Sequence, residues 1–307
     1  MTAVKTAGVA AGIAPGMRVE YRRVLLQADF DRFARLSGDD NPIHCDPAFA
    51  ARSHFGATVA HGMLLYGCIA KALAELIPGP GAVQLEQTLM FPNPIFVNDP
   101  ISVSLAVEGI AAGVLDIATV VTKPGADGEP LVAATGKARV VAAGLAPPRV
   151  APFVLCAEPG DAALYGLRPG ASARVERAFS LADLDEYGDL VGDRNPIFRD
   201  DRAARARGFD GRIVPWPLLA GMFSALLGTR LPGRGTGWMK QALRFPAPAY
   251  PGEKLTATVA ITRLRRDKEL VNLSTRVIAA DGRIVCDGEA LVLVRNLENK
   301  IESTAAA

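Results

Sequence analysis

Thiols are scarce in this chain. Cys45, Cys68, Cys156 and Cys286 are scattered singly through 307 residues, with no C-x-x-C pair. That spacing supports neither a disulfide framework nor a thiolate zinc site, so reduced thiols in a cytoplasmic protein are expected. Long apolar runs are missing too. The best, Met63 to Ile77, carries Lys71 and Glu75 and is shorter than the ~20 residues that cross a bilayer. The first residues lack the charged start, compact apolar region and small-residue cleavage site of a secretion signal. Neither sign of charge dominates: 34 basic against 32 acidic residues leave +2, without the basic stripe of a nucleic-acid binder. Aromatic residues make up only 6%, yet 50% of the chain is apolar and 21% charged. Such a composition builds real cores and excludes a mainly disordered chain.

What is present is a repeat. Shifting the sequence by 154 positions aligns Gly38-Asp39-Asp40-Asn41-Pro42-Ile43 with Gly192-Asp193-Arg194-Asn195-Pro196-Ile197. The same shift aligns Leu64-Leu65-Tyr66-Gly67 with Leu218-Leu219-Ala220-Gly221, and Gln87, Leu89, Phe91, Pro92 and Pro94 with Gln241, Leu243, Phe245, Pro246 and Pro248. A two-residue deletion then matches Gly136 to Gly288. A period this long means duplicated domains, not a solenoid. The halves are placed at 12–142 and 166–296. The segment 143–165, rich in Ala, Pro and Gly, is read as a linker, and Asn299 to Ala307 as a polar tail.

Each half reads alike. In the first, a helix is expected over Asp29–Ser37, then a polar loop over Gly38–Pro47 and a short helical stretch over Ala48–Ser53. Met63 to Ile77 is apolar nearly all round, the mark of a buried helix, and Pro78-Gly79-Pro80-Gly81 stops it. Alternating strands follow at Gln84–Phe91, Ile101–Gly109, Val114–Lys123 and Leu131–Val141. A buried helix followed by antiparallel strands predicts an α+β half whose sheet curls around that helix.

The chemistry concentrates in one window. All three histidines, His44, His54 and His61, lie within 18 residues, and Asp39 stands five residues before His44. Imidazole moves protons near neutral pH, and a nearby carboxylate can share a water with it. The segments Gly38-Asp39-Asp40-Asn41-Pro42-Ile43-His44 and Phe55-Gly56-Ala57-Thr58-Val59-Ala60-His61-Gly62-Met63 resemble the MaoC-type (R)-specific enoyl-CoA hydratases and 3-hydroxyacyl thioester dehydratases of the hotdog superfamily. The likeness is strong in the first half and weak in the second, which together look like a tandem double hotdog. It implies Asp39 and His44 as catalytic residues and Asn41 as the residue shaping their loop. It implies the Gly62 backbone N–H as the group that binds the thioester oxygen. A helix N-terminus suits that role, having free N–H groups and a positive dipole end. The substrate implied is an acyl-CoA or acyl-carrier-protein thioester. Coenzyme A is then part of the substrate, and no separate cofactor is expected.

No metal site is expected either, because His44 and His61 lack the i, i+4 helical spacing. His61 is read as a packing or helix-start residue and His54 as a surface residue. Cys45 is not read as a nucleophile. In the second half Phe198 takes the place of His44, and Pro215-Trp216-Pro217 that of His61-Gly62-Met63. Two prolines remove N–H donors at the helix entry, so this copy is expected to be inactive. It still completes a pseudo-dimer within one chain, with a homodimer of chains left open. Arg199, Arg202, Arg205, Arg207, Lys240 and Arg244 are basic residues that could meet CoA phosphates, and none is assigned. A hotdog thioesterase, a hydratase of branched or dicarboxylic (mesaconyl- or itaconyl-type) thioesters, and a non-catalytic acyl-thioester-binding subunit are the competing readings.

Overall fold

A computed structural model describes residues 12–154 and 159–300; Cys156, the first eleven residues and the end of the tail lie outside them. The first half runs β1 (Arg18–Val24), α1 (Gln27–Ser37), α2 (Pro42–Cys45), α3 (Pro47–Arg52), α4 (Gly62–Glu75), β2 (Val83–Met90), β3 (Pro100–Ala111), β4 (Val114–Pro124) and β5 (Pro130–Val141). The second repeats that order with β6 (Ser172–Arg177), α5 (Leu181–Val191), α6 (Pro196–Arg199), α7 (Asp201–Ala206), α8 (Trp216–Thr229), β7 (Gly237–Arg244), β8 (Leu255–Arg265), β9 (Leu270–Ala279) and β10 (Ile284–Leu293). The ten strands form one antiparallel sheet ordered β1-β3-β4-β5-β2-β7-β10-β9-β8-β6. The fold is the expected α+β tandem hotdog, each sheet half curling around its buried central helix, α4 or α8.

Three local features depart from the sequence reading. Strands β1 and β6 were not expected, because each pairs on one side only and alternates half-buried with exposed positions. The loop after α1 contains the four-residue α2, capped by the Asn41 side chain with Pro42 at its first position. The central helix starts at Gly62 and ends at Glu75.

The two halves join through β2 and β7, where Thr88 pairs with Ala242, its own counterpart in the repeat. The local two-fold axis therefore passes through that pair. Helix packing follows the same symmetry. A methyl group at Gly67 of α4 would stand 2.9 Å from Val191 of α5, and one at Gly221 of α8 would stand 2.9 Å from Cβ of Ser37 of α1. Each central helix thus lies against the first helix of the other half, and the repeated glycine lets the backbones approach. Between Val141 and Ser172 the described residues form no helix or strand. That segment is nonetheless anchored. Arg207 donates to the carbonyls of Leu145 and Ala142, and Phe153 N–H donates to the buried Asp287 carboxylate at 2.8 Å.

Candidate active site

Gly38 ends α1 in the left-handed region (φ 79°), which glycine adopts at little cost. The next residue, Asp39, is only 1% exposed. Its Oδ1 accepts from Asn41 N–H at 3.4 Å, and its Oδ2 accepts from the Ser224 hydroxyl of α8 at 2.5 Å. Asn41 ties the loop down from both ends of its amide. Oδ1 accepts from Ile43 N–H, and Nδ2 donates to the Gly228 carbonyl at 3.0 Å.

His44 of α2 hydrogen-bonds through Nδ1 to the Val59 carbonyl at 2.8 Å. A carbonyl only accepts, so Nδ1 carries the proton and Nε2 keeps its lone pair. That nitrogen faces Oδ2 of Asp39 across 3.8 Å. The gap is too long for a direct hydrogen bond and short enough for one water to reach both atoms. The structure thus brings together Asp39, His44 and Asn41. Gly62 opens α4 on the same cavity, and no hydrogen bond engages its N–H among the described residues. An added Cβ there would stand 3.0 Å from the Phe91 ring, so glycine is what allows that ring to lie over the helix entrance.

These groups line a cavity of about 790 Å³ between the halves. Its walls include Leu65, Phe91 and Ile95 from the first half and Leu227, Trp238 and Met239 from the second. Arg52 and His54 stand at the edge, exposed. A polar cavity of about 380 Å³ lies beside it, walled by Asp40, Arg230, Arg234 and Glu298, with no histidine among its lining residues. Of the basic residues considered for phosphate contacts, none lines the large cavity. Arg199 pairs with Asp189, Arg205 donates to the Asp210 carbonyl and Arg207 to the linker.

Cys45 is half-buried, and burial with the carboxylates of Asp31, Asp39 and Asp40 pushes its thiol up to about 11. It is a thiol, not a nucleophilic thiolate, at neutral pH. Asp39, His44 and His61 present ligand-type atoms within 4.8 Å of one another. The two imidazoles, however, stack with centroids 3.8 Å apart and planes at 28°, so their in-plane lone pairs run alongside rather than converge. The set suits proton transfer better than chelation.

In the second half Phe198 and Trp216 are buried and meet edge to face at 5.1 Å, with Phe245 6.0 Å beyond. Aromatic rings fill the space that His44 and Gly62 leave open in the first. Asp193 and Asn195 keep the loop bonds, Asp193 accepting from Asn195 N–H at 2.9 Å. The repeat puts Ala70 where Ser224 serves Asp39, and Oδ2 of Asp193 is buried without a hydrogen-bond partner among the described residues. Burial raises this carboxyl from 3.8 to about 6. The folded protein therefore holds a proton that the unfolded chain has released, and stability falls as pH rises from about 4 through 6. Above that window the penalty reaches at most roughly 3 kcal/mol. Asp193→Asn is expected to raise the urea midpoint at pH 8 and leave it nearly unchanged at pH 4; equal shifts at both would refute the assignment.

Ser224 was not anticipated from sequence, although a visible signal existed. It is the one hydroxyl in the buried middle of a helix that is otherwise apolar on every side. Its O–H holds Asp39 Oδ2, the oxygen that faces His44. Ser224→Ala is expected to lower turnover about tenfold, the order expected for loss of one hydrogen bond that fixes Asp39, with Ser224→Thr recovering part of it.

One continuous antiparallel sheet around two buried helices, with an imidazole–carboxylate pair at the entrance of one of them, defines a double hotdog. The chain belongs to the MaoC-like domain family, whose model matches residues 10–128 and 168–282. It is similar to an (R)-specific enoyl-CoA hydratase of Aeromonas caviae, 38% identical over 126 residues that cover 41% of this chain and 94% of that one. It is also similar to a 3-hydroxybutyryl-CoA dehydratase of Methylorubrum extorquens, 35% identical over 43% of this chain and 83% of that one. A double-hotdog protein of Mycobacterium tuberculosis shares the fold over 92% of this chain and 96% of its own, with a TM-score of 0.66 at 15% identity. Among the described residues, no helix is long and apolar enough to cross a membrane.

Proposed function

We propose that the chain is a hydro-lyase that adds water reversibly across the C2–C3 double bond of a trans-2-enoyl-CoA thioester, giving the (R)-3-hydroxyacyl thioester. The names of its two relatives support the reaction class. The observation that carries the reading is the 3.8 Å gap between Nε2 of His44 and Oδ2 of Asp39, opening on a cavity shared with a free helix-start N–H. Both atoms accept hydrogen bonds, so one water can donate to each. Nε2 takes a proton as the water oxygen attacks C3, and the C2–C3 electron pair moves onto the thioester oxygen. Gly62 N–H and the positive end of α4 receive that charge. The proton then returns through the His44–Asp39 pair to C2 on the same face, so one water is added and the pair is regenerated. Dehydration runs the same steps backwards.

The walls favour a hydrocarbon acyl group over a dicarboxylic one. Arg52, exposed at the edge, is the one arginine or lysine among the lining residues, and a buried second carboxylate would need a buried cationic partner. Crotonyl-CoA tests the proposal: loss of enoyl absorbance without release of free thiol is expected. Thiol released in step with enoyl loss would make the chain a thioesterase instead.

A further inference from the structure

His61 touches both members of the pair and is used by neither step above. Its Nε2–H donates to the main-chain carbonyl of Asp39 at 3.0 Å, its face stacks on His44 at 3.8 Å, and Phe33 closes its other surroundings at 5.1 Å. It is fully buried, and its Nδ1 has no hydrogen-bond partner among the described residues. We propose that His61 is a positioning residue that stays neutral throughout the reaction, anchoring the Asp39 backbone and presenting a π face to His44 as that ring gains its proton. The inference rests on the hydratase reading for its kinetic consequences only.

Three observations converge on it. The donor bond to a carbonyl places the proton of His61 on Nε2 and leaves Nδ1 as a bare lone pair inside the core. Among the described residues, the titratable groups that meet the two rings are each other and Asp39, with Cys45 the chain neighbour of His44 and within electrostatic reach of Asp39. From the packed elements, α1 presents Phe33 to His61, α8 presents Ser224 to Asp39, and Arg52 and His54 stand outside at the cavity edge. Burial first, and the neighbouring His44 second, hold His61 well below the usual imidazole range. Two stacked rings cannot both carry charge at this separation, and His44 is the one whose side chain reaches the cavity, 13% exposed. A neutral ring against an imidazolium is attractive in the manner of a cation over an aromatic face.

Two substitutions separate the two contacts. His61→Phe keeps the ring and loses the bond to Asp39, while His61→Gln keeps an N–H donor and loses the ring. Both are expected to lower kcat about tenfold with KM within about threefold. Only His61→Gln should move the acid limb of the kcat profile, by about half a pH unit to lower pH. A limb that moves equally in both, or in neither, overturns the proposal, as does a change carried mainly by KM. Imidazole nitrogen resonances of the unsubstituted protein, assigned with the exposed-site variant His54→Gln, check it without relying on those variants folding. His61 should remain in one neutral form, protonated on Nε2, from pH 5 to 9; titration in that range overturns the proposal. Absent hydration of crotonyl-CoA would remove the hydratase reading, and these resonances would still decide the role of His61.

Discussion

His44→Ala is expected to lower kcat for enoyl-thioester hydration by about 10²-fold or more, the usual cost of losing a positioned proton-transfer group. The fold should survive it. The ring contributes one hydrogen bond, to Val59, and lies at a cavity wall rather than in the core. Nothing beside it can take over the base: His61 has its proton turned to the Asp39 carbonyl and its lone pair inside the core, and Cys45 remains a thiol at neutral pH. KM should change little, since His44 is one of many residues that line the cavity. His44→Gln should be as poor as alanine, because an amide has no basic nitrogen. The chain contains its own version of the experiment in Phe198, which occupies the His44 position of the second half beside a retained aspartate. Steady-state hydration of crotonyl-CoA by the variant, with circular dichroism to verify the fold, decides the matter. Turnover within a few-fold of the unsubstituted chain would end the assignment of His44 as base.

The parts of this molecule that were legible in sequence are those set by local chemistry. Met63 to Ile77 announced a buried helix because it is apolar nearly all round, and the helix runs only slightly differently, from Gly62 to Glu75. Asp39, Asn41 and His44 could be grouped because their segment resembles that of the MaoC-type hydratases and because Asp39 stands only five residues before His44. Strand β1 was hidden because half its side chains face solvent and three of its seven residues are arginines. The helix α2 was hidden because it exists through a cap and a proline rather than through periodicity. Ser224 was harder still, since it reaches Asp39 from a helix 185 residues away. Its role depends on how α8 packs across the two-fold axis, and the repeat pattern alone does not give that register. The same packing gives the second half, with Phe198 in place of His44, a share in the first half's site: it supplies Ser224 to Asp39, the Gly228 carbonyl to Asn41, and the Leu227, Trp238 and Met239 walls of the cavity.

The second large effect is expected at Gly288 of β10. An added Cβ there would lie 1.8 Å from the Ala242 carbonyl oxygen, and at its counterpart Gly136 1.7 Å from that of Thr88. Thr88 and Ala242 are the pair on the two-fold axis, so both glycines stand where β5 and β10 press against the two central strands. Backbone blocks each methyl, and no rotamer change can relieve the clash. Gly288→Ala must therefore spread β10 from β7 and disturb the ladder that runs from Asp287 with Arg244 to Leu293 with Gly237, the latter two on the cavity wall. Overpacking of this severity is expected to cost at least ~3 kcal/mol, read as a drop in the urea midpoint or as insoluble protein. Gly282→Ala is the matched comparison. Its φ of +87° strains an alanine, but nothing lies within 4 Å of the added carbon, so about 1 kcal/mol is expected. A Gly288→Ala protein as stable as Gly282→Ala would mean that β10 can part from β7 without loss, and that their pairing is looser than this register requires.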